Sequence, residues 1–168
     1  QAVASALSDA LIVRTSWLYS TTGANFVKTM LRLMVEKPEL NVVADQVGSP
    51  TWARRLGEVL WRAVMLNDPG GVYHWSDAGV ASWYDFSAAI QDIALELGLL
   101  TTAVPIKPIA TAAYPTPAKR PEYSVLDVTK TLETFDVSRR HWRHELKAML
   151  SELDRKSTRL NSSHTQKS

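Results

Sequence analysis

Apolar residues in this chain occur partly in short continuous runs and partly at helical spacing, which together predict an α/β fold. Leu11–Val13 is a continuous run with β-branched residues, typical of a buried strand in a parallel sheet. Leu40–Val43 and Val72–Trp75 are further short runs and predict two more strands. Segment 103–109 contains two prolines, so it is restricted to an edge strand because proline donates no ladder hydrogen bond.

Helix-spaced apolar residues predict helices between and after these strands. Asn25, Thr51, Ser82 and Asp127 each precede one and carry a side-chain oxygen suited to capping its N-terminus. Asn25 is also a candidate ligand contact that would face the cleft at the strand ends. The predicted helices cover 26–37, 52–66, 83–97, 128–135 and about 142–150. The buried face predicted for the second helix consists of Leu56, Val59, Leu60, Ala63 and Val64.

The corner at residues 44–51 (ADQVGSPT) joins the strand at 40–43 to the helix that follows. Gly48 permits a positive φ, and Pro50 fixes its own φ. A rigid corner of this kind presents polar groups and free helix N–H donors to a ligand, particularly an anion. An ordinary capped turn is the alternative. The polar side chains brought together by the corner are Gln46, Ser49 and Thr51.

The residues after the first strand are a second candidate site. Thr15, Ser16 and Trp17 follow Leu11–Val13 and its exit residue. In open α/β sheets, ligands gather at the carboxyl ends of the strands, so these side chains are placed where a ligand would bind. A core position for the Trp17 indole is the alternative.

The loop at 114–124 is a third candidate. Its three prolines stiffen the backbone that carries Lys119 and Arg120. A stiff loop positions an arginine fork for a phosphate or carboxylate at low entropic cost. The alternative is a proline-rich surface loop whose charges are simply solvated.

Composition limits the classes of function. The 168 residues are 45% apolar and carry a net charge of +2, which indicates a globular domain and gives no reason to expect a nucleic-acid partner. The chain has no cysteine, so disulfides and thiolate metal sites are excluded, which fits a cytoplasmic location. No apolar run approaches the roughly 18–20 residues of a membrane span, so no membrane partner is expected.

The two ends differ from the rest of the chain. Residues 1–7 begin without Met in a helix-like pattern, so we expect the chain to be cut from a longer one. Residues 1–150 are predicted to be the folded portion and 151–168 a largely disordered tail. Residues 156–168 contain one apolar residue in thirteen, a composition typical of disorder and of a sequencing or cloning artefact.

Several catalytic motifs are missing from the sequence. It contains no Gly-x-Gly-x-x-Gly turn and no Gly-x-Ser-x-Gly elbow, and none of its five tyrosines has a lysine four residues later. His141 and His144 approach metal-ligand spacing, but no acidic residue nearby completes a convincing site. We therefore predict no catalytic residue and no metal site, and expect a part that holds a substrate.

Six segments carry a family resemblance: 14–19 (RTSWLY), 23–30 (GANFVKTM), 43–51 (VADQVGSPT), 71–74 (GVYH), 82–86 (SWYDF) and 114–127 (YPTPAKRPEYSVLD). In this order they resemble the C-terminal half of the dTDP-4-dehydrorhamnose reductases, a family of extended short-chain dehydrogenase/reductases. The resemblance covers about residues 1–150. No single motif is decisive, but six in the right order are specific.

The resemblance implies a fold and a reaction. Residues 1–150 would form the C-terminal part of a Rossmann-like NAD(P)-binding fold with a small α/β substrate-binding lobe. NADPH or NADH would reduce the C4 keto group of dTDP-4-dehydro-β-L-rhamnose, giving dTDP-L-rhamnose for bacterial surface polysaccharide. The main cofactor site and the catalytic Thr, Tyr and Lys of the family would lie upstream of Gln1, so the fragment itself is expected to be inactive.

The resemblance also implies roles for individual residues. Thr15 and Ser16 would lie near the nicotinamide, and Trp17 would contact the sugar. His74 is expected to be structural. The side chains facing the dTDP-sugar would be Asn25, Gln46 and Arg120, with Ser49 and Thr51 completing that wall.

The resemblance also has implications for metal binding, for the oligomeric state and for an alternative class of function. Some family members bind Mg²⁺ at a dimer contact through a glutamate shortly after the corner, whereas Arg54 and Arg55 stand in that neighbourhood here. This argues against Mg²⁺, and a homodimer of the full-length protein stays an open alternative. A non-catalytic binding protein is the other class, because the regulatory β subunit of methionine adenosyltransferase resembles this family and works by association.

Overall fold

The computed structural model of the chain describes residues 2, 9–66 and 70–165, with side chains as far as residue 155. The helix-like pattern of residues 1–7 therefore lies outside the described residues, apart from residue 2. The strands are β1 Leu11–Thr15, β2 Leu18–Tyr19, β3 Leu40–Val43, β4 Val47–Gly48, β5 Thr51–Trp52, β6 Gly71–Trp75, β7 Ala81–Ser82 and β8 Ile106–Ile109. The helices are α1 Phe26–Glu36, α2 Ala53–Val64, α3 Trp83–Glu96, α4 Thr129–Phe135 and α5 Trp142–Thr165, with a short 3-10 helix at Thr111–Ala113.

The strands pair in short ladders, three of which are parallel. β1 pairs with β6 in parallel, so that Leu11 lies opposite Gly71 and Thr15 opposite Trp75. The β2–β5 pair and the β3–β8 pair are also parallel, whereas β4 and β7 are antiparallel. Among the described strands, β8 pairs with β3 alone, as the proline-based edge prediction requires. Because β1 and β6 run in the same direction, the residues after both strands leave the sheet at one edge.

Two of the four predicted helix caps, at Asn25 and Ser82, are present. The Asn25 side chain accepts a hydrogen bond from the N–H of Lys28 at the start of α1, at 3.3 Å. Ser82 caps α3 and forms a reciprocal capping box with Asp85. The cap predicted at Asp127 is wrong by one position: the residue that precedes α4 is Val128, which makes no side-chain cap, although Asp127 accepts from the N–H of Thr129 at 2.9 Å. Local polar chemistry therefore determines where α1 and α3 begin.

The cap predicted at Thr51 is wrong. Thr51 belongs to β5 and pairs with Leu18, and the residue that precedes α2 is Trp52, which offers no capping side chain. Strand pairing extends the chain one residue beyond the expected helix start. The N–H of Trp52 donates instead to the Asp77 carboxylate at 2.9 Å, from 25 residues further along the chain.

The core is divided into two clusters of buried side chains. The larger one surrounds α3, where Phe86 and Ile90 pack with residues of α1 and with Leu146 of α5. The smaller one lies between α2, β6 and α4 and contains Val59, Ala63, Tyr73, Trp75 and Phe135. Trp17, a residue of the candidate site, packs against the larger cluster, which therefore supports that site.

The buried face of α2 is narrower than the sequence predicts. Val59 and Ala63 are buried, but Leu60 is 38% exposed and Val64 67% exposed, so those two assignments are wrong. The helix contacts the smaller cluster along a single line of residues. Trp61, at 69% exposed, lies on the same open side.

Helix α5 extends beyond the boundary predicted for the tail. The amphipathic residues Trp142, Leu146, Met149 and Leu150 are buried as predicted, and the helical backbone then continues to Thr165. Side chains from residue 156 onward and residues 166–168 lie outside the described part, so disorder of 156–168 stays a prediction. None of the described helices, α5 included, combines the length and apolar character needed to cross a bilayer.

Candidate binding site

Trp17 lies just beyond the carboxyl end of β1, where its backbone takes a φ of 47° that is uncommon for a residue with a side chain. Its indole stacks face to face on Trp83, with ring centroids 3.6 Å apart and planes inclined by 6°. The stack packs against Phe26 and Phe86 at the edge of the larger core. Trp17 is half-buried, so it combines the core position and the strand-exit position that the sequence offered as alternatives.

Gly48 is required by this indole and not by its own backbone angle. Gly48 is absent from the residues with positive φ, so it does not use the positive φ that glycine permits. A Cβ at position 48 would instead lie 2.6 Å from Cε2 of Trp17, closer than side chains tolerate. The glycine thus allows the corner backbone to approach Trp17 directly.

Gln46 is buried and holds its amide between two partners. Its Oε1 accepts from Nε1 of Trp83 at 3.3 Å, and its Nε2 donates to Oγ1 of Thr111 at 3.1 Å. The Thr111 hydroxyl in turn donates to Asp45 Oδ1 at 2.6 Å. The hydrogen bonds that Asp45 accepts from the hydroxyl and the backbone N–H of Thr111 lower the pKa of Asp45. The corner, the 3-10 helix and the stacked indoles are therefore one connected polar structure.

Trp83 and Thr111 were not singled out from the sequence. Trp83 belongs to the SWYDF segment and is the first residue of α3, so its position next to the Ser82 cap was the only available indication. Thr111 lies 65 residues from Gln46 in the chain, and no local pattern connects them.

The two serine side chains of the site are committed to hydrogen bonds within the fold, whereas the two threonine side chains are not. Ser16 Oγ donates to the carbonyl of Ser49 at 3.0 Å, and Ser49 Oγ donates to the carbonyl of Gly79 at 2.8 Å. Ser49 and Thr51 are fully buried. The hydroxyls of Thr15 and Thr51 are buried and find no hydrogen-bond partner among the described residues. The hydrogen-bonding capacity of the Thr15 hydroxyl, at the end of β1, is therefore unused within the described residues.

Asn25 and Arg120 differ in how available they are. Asn25 caps α1 and also donates from Nδ2 to the carbonyl of Ser20 at 2.7 Å, so both ends of its amide are used. Arg120 is exposed, and no ion pair joins it to a described carboxylate. Its guanidinium can therefore turn toward an anion without breaking an existing contact.

The loop that carries Arg120 is fixed to the corner through Val47. The N–H of Val47 donates to the carbonyl of Glu122 at 2.7 Å, and the N–H of Ser124 donates to the carbonyl of Val47 at 2.8 Å. Gln46 adjoins this contact in the chain. The structure thus brings the corner and the proline-rich loop together, although 73 residues separate Val47 from Arg120.

A buried acid behind the corner was not anticipated from the sequence. Asp77 follows the end of β6 and is 1% exposed. Burial raises its pKa to about 7, against the hydrogen bond from Trp52; Glu145 raises it further, while Arg55 and Arg139 lower it. Arg139 also donates from Nη2 to the backbone carbonyl of Asp77, at 2.5 Å. A polar residue at the exit of a parallel strand was the indication available.

The neighbourhood of the corner does not fit a Mg²⁺ ion. Nη2 of Arg54 lies 2.6 Å from Oε2 of Glu152, and Nε of Arg55 lies 3.6 Å from Oε1 of Glu145. Both glutamates are thus already neutralised by guanidinium groups where a hard cation needs free oxygen ligands. Across the described ranges, no three His, Asp or Glu side chains are grouped as a metal site.

Parallel strands flanked by helices, with a polar corner at the strand ends, define the C-terminal part of a Rossmann-like NAD(P)-binding fold with a small α/β substrate-binding lobe. Residues 1–155 match the family described as the RmlD substrate binding domain, and the chain belongs to this family.

Named relatives agree with this assignment. The chain is 41% identical to the dTDP-4-dehydrorhamnose reductase of Salmonella typhimurium, over 85% of this chain and 49% of that protein. It is 42% identical to the spore coat polysaccharide biosynthesis protein SpsK of Bacillus subtilis, over 86% of this chain and 48% of that protein. The crystal structure of Bacillus anthracis dTDP-4-dehydrorhamnose reductase in complex with NADP matches with a TM-score of 0.76 at 36% identity, covering 84% of this chain and 48% of that one. The chain spans about half the length of these relatives.

Proposed function

We propose that this chain is the C-terminal, substrate-binding half of an NAD(P)H-dependent reductase that converts dTDP-4-dehydro-β-L-rhamnose to dTDP-L-rhamnose. The observation that carries the proposal is the connection between the corner and the Arg120 loop through Val47, within a chain that matches the substrate binding domain over residues 1–155. A stacked aromatic pair, a fixed amide and a free guanidinium are the groups that suit a sugar joined to a diphosphate.

Each proposed contact follows from the availability of its side chain. Arg120 binds the diphosphate, since its guanidinium is exposed and unpaired among the described residues. Trp17 lies along the sugar, and Gln46 fixes the aromatic surface on which it rests. Asn25, Ser49 and Thr51 support this wall from behind, because their side chains are committed to capping or are fully buried.

The cofactor belongs mainly to the half of the protein that precedes this chain. NADPH or NADH supplies the hydride when bound there. Thr15, which ends β1 and has a buried hydroxyl with no partner among the described residues, lies near the nicotinamide in this proposal. Ser16 supports this point through its hydrogen bond to the Ser49 carbonyl.

The chain alone is proposed to be inactive as a reductase. Protonation of the developing alkoxide requires a donor such as a tyrosine with a nearby lysine, and no tyrosine here has a lysine four residues on. The partner of the chain is the dTDP-sugar, a homodimer of the full-length protein is retained as an option, and the setting is cytoplasmic.

Calorimetric titration of the chain with dTDP-L-rhamnose tests the proposal. Arg120→Ala is expected to weaken binding about tenfold or more, because it removes a charge-assisted contact to phosphate. Lys119→Ala, the matched removal of a neighbouring exposed charge, should change affinity by no more than about twofold. Absence of binding by the unaltered chain, or equal losses in both variants, would contradict the proposal.

A further inference from the structure

A chain of hydrogen bonds runs from an exposed carboxylate to the stacked indoles. Asp45 accepts from the Thr111 hydroxyl at 2.6 Å, Thr111 accepts from Gln46 Nε2 at 3.1 Å, and Gln46 Oε1 accepts from Trp83 Nε1 at 3.3 Å. Trp83 then stacks on Trp17 at 3.6 Å. These side chains come from the corner, the 3-10 helix, the start of α3 and the exit of β1.

The Asp45 carboxylate at one end and the Trp83 indole at the other determine which group donates in each of these hydrogen bonds. A carboxylate only accepts, so the single proton of the Thr111 hydroxyl is used on Asp45. The hydroxyl can then only accept from Gln46, which turns the amide nitrogen toward Thr111 and the amide oxygen toward Trp83. An indole N–H only donates, so the reversed amide would place two donors against each other at Trp83.

We propose that Thr111 and Asp45 are positioning residues for the sugar end of the binding site, acting through Gln46 to hold Trp83 against Trp17. This rests on the proposed function, in which Trp17 lies along the sugar. Neither Thr111 nor Asp45 needs to touch the ligand. Their effect is to select one orientation of the Gln46 amide and so to fix the plane of the aromatic pair.

The position of Thr111 separates this role from a general contribution to folding. Its backbone N–H donates to both oxygens of Asp45 at 2.9 Å, independently of the hydroxyl. Thr111→Val therefore removes only the hydroxyl and keeps both the side-chain shape and the backbone attachment. Thr111→Ser keeps the hydroxyl and serves as the rescuing variant.

The first measurement is circular dichroism of the chain. Indoles stacked face to face couple excitonically, and the Trp17→Phe and Trp83→Phe variants identify the resulting couplet. In Thr111→Val the couplet should fall by about half or more, since an unbonded Gln46 amide no longer orients Trp83. Thr111→Ser should retain it, and so should Thr101→Val, which removes an exposed hydroxyl elsewhere on the surface.

The second measurement compares two ligands by calorimetry. Thr111→Val should weaken the binding of dTDP-L-rhamnose about five- to tenfold and change the affinity for dTDP by less than about twofold. The reason is that the Asp45–Thr111–Gln46 hydrogen bonds act on the sugar end of the site alone. Equal losses for both ligands, or an unchanged couplet in Thr111→Val, would overturn the inference. Failure of the unaltered chain to bind either ligand overturns the proposed function instead. The circular dichroism couplet would still show whether the Asp45–Thr111–Gln46 hydrogen bonds orient the indoles.

Discussion

The carboxylate of Asp77 accepts a hydrogen bond from the backbone N–H of Trp52, at 2.9 Å and out of contact with water. This contact replaces the side-chain cap that α2 lacks and connects the end of β6 to the start of that helix. A buried carboxylate in this position costs free energy when it is ionised, because burial is the largest influence on its pKa.

Asp77 should therefore make stability depend on pH. Its pKa is raised from 3.8 to about 7, so the folded state holds the proton more tightly than the unfolded state does. The contribution of Asp77 to stability therefore falls as the pH rises from about 4 to about 7, and it is constant above that range. Asp77→Asn keeps an oxygen for the Trp52 N–H and removes the titration. The stability difference between the two proteins should change by a few kcal/mol over this interval, on the order of 1.4 kcal/mol per pH unit. Urea unfolding at several pH values measures it, and parallel profiles would disprove it.

Gly48→Ala should destabilise the chain by about 1–3 kcal/mol, because the new Cβ would lie 2.6 Å from the Trp17 ring. Gly57→Ala is the matched control, since a Cβ there meets nothing within 4 Å and position 57 lies inside α2. That control should gain about 0.5–1 kcal/mol from helix propensity. Thermal unfolding of both variants tests the pair, and a loss of similar size at both positions would contradict the steric explanation.

The Arg54–Glu152 ion pair predicts that Mg²⁺ does not stabilise this chain. The melting temperature should be the same in excess Mg²⁺ and in excess EDTA. Arg54→Glu places a second carboxylate beside Glu152, and its melting temperature should rise with Mg²⁺. Arg54→Ala controls for loss of the ion pair, which contributes under about 1 kcal/mol near the surface. A Mg²⁺-dependent rise in the unaltered chain would refute this prediction.

The tail makes a prediction about motion. Residues 156–168 have too few apolar side chains to offset the entropy of an ordered conformation. Heteronuclear NMR relaxation should give low order parameters from residue 156 onward and high values over 142–150, whose apolar side chains are buried. High order parameters to the end of the chain would contradict this prediction and show that α5 is stable as far as Thr165 in solution.

Local patterns in the sequence were sufficient for much of the fold. β1, β3 and β6 coincide with short runs rich in apolar residues, and α1 and α3 begin at side-chain caps, so neighbouring residues were sufficient to predict them. Thr51 was misassigned because pairing of β5 with β2, a contact between distant segments, overrides capping preference. The outer side of α2 was misassigned because helical periodicity does not show how wide the partner surface is.

The candidate site was predictable only in part for the same reason. Proline, glycine and polar residues that are close together in the sequence indicate the corner and the Arg120 loop. Asp77, Thr111 and Trp83 acquire their roles from partners at least 25 residues away, and an isolated sequence gives no measure of such proximity.

Segment 111–123 is attached at both ends to corner positions that are two residues apart, Thr111 to Asp45 and Tyr123 to Val47. Its two ends therefore keep their separation whatever lies between them. A loop closed in this way can change length at little cost, since closure entropy grows only logarithmically with the number of residues. Apart from Arg120, residues 114–121 can therefore vary in length and sequence while the corner and the indole pair stay in place.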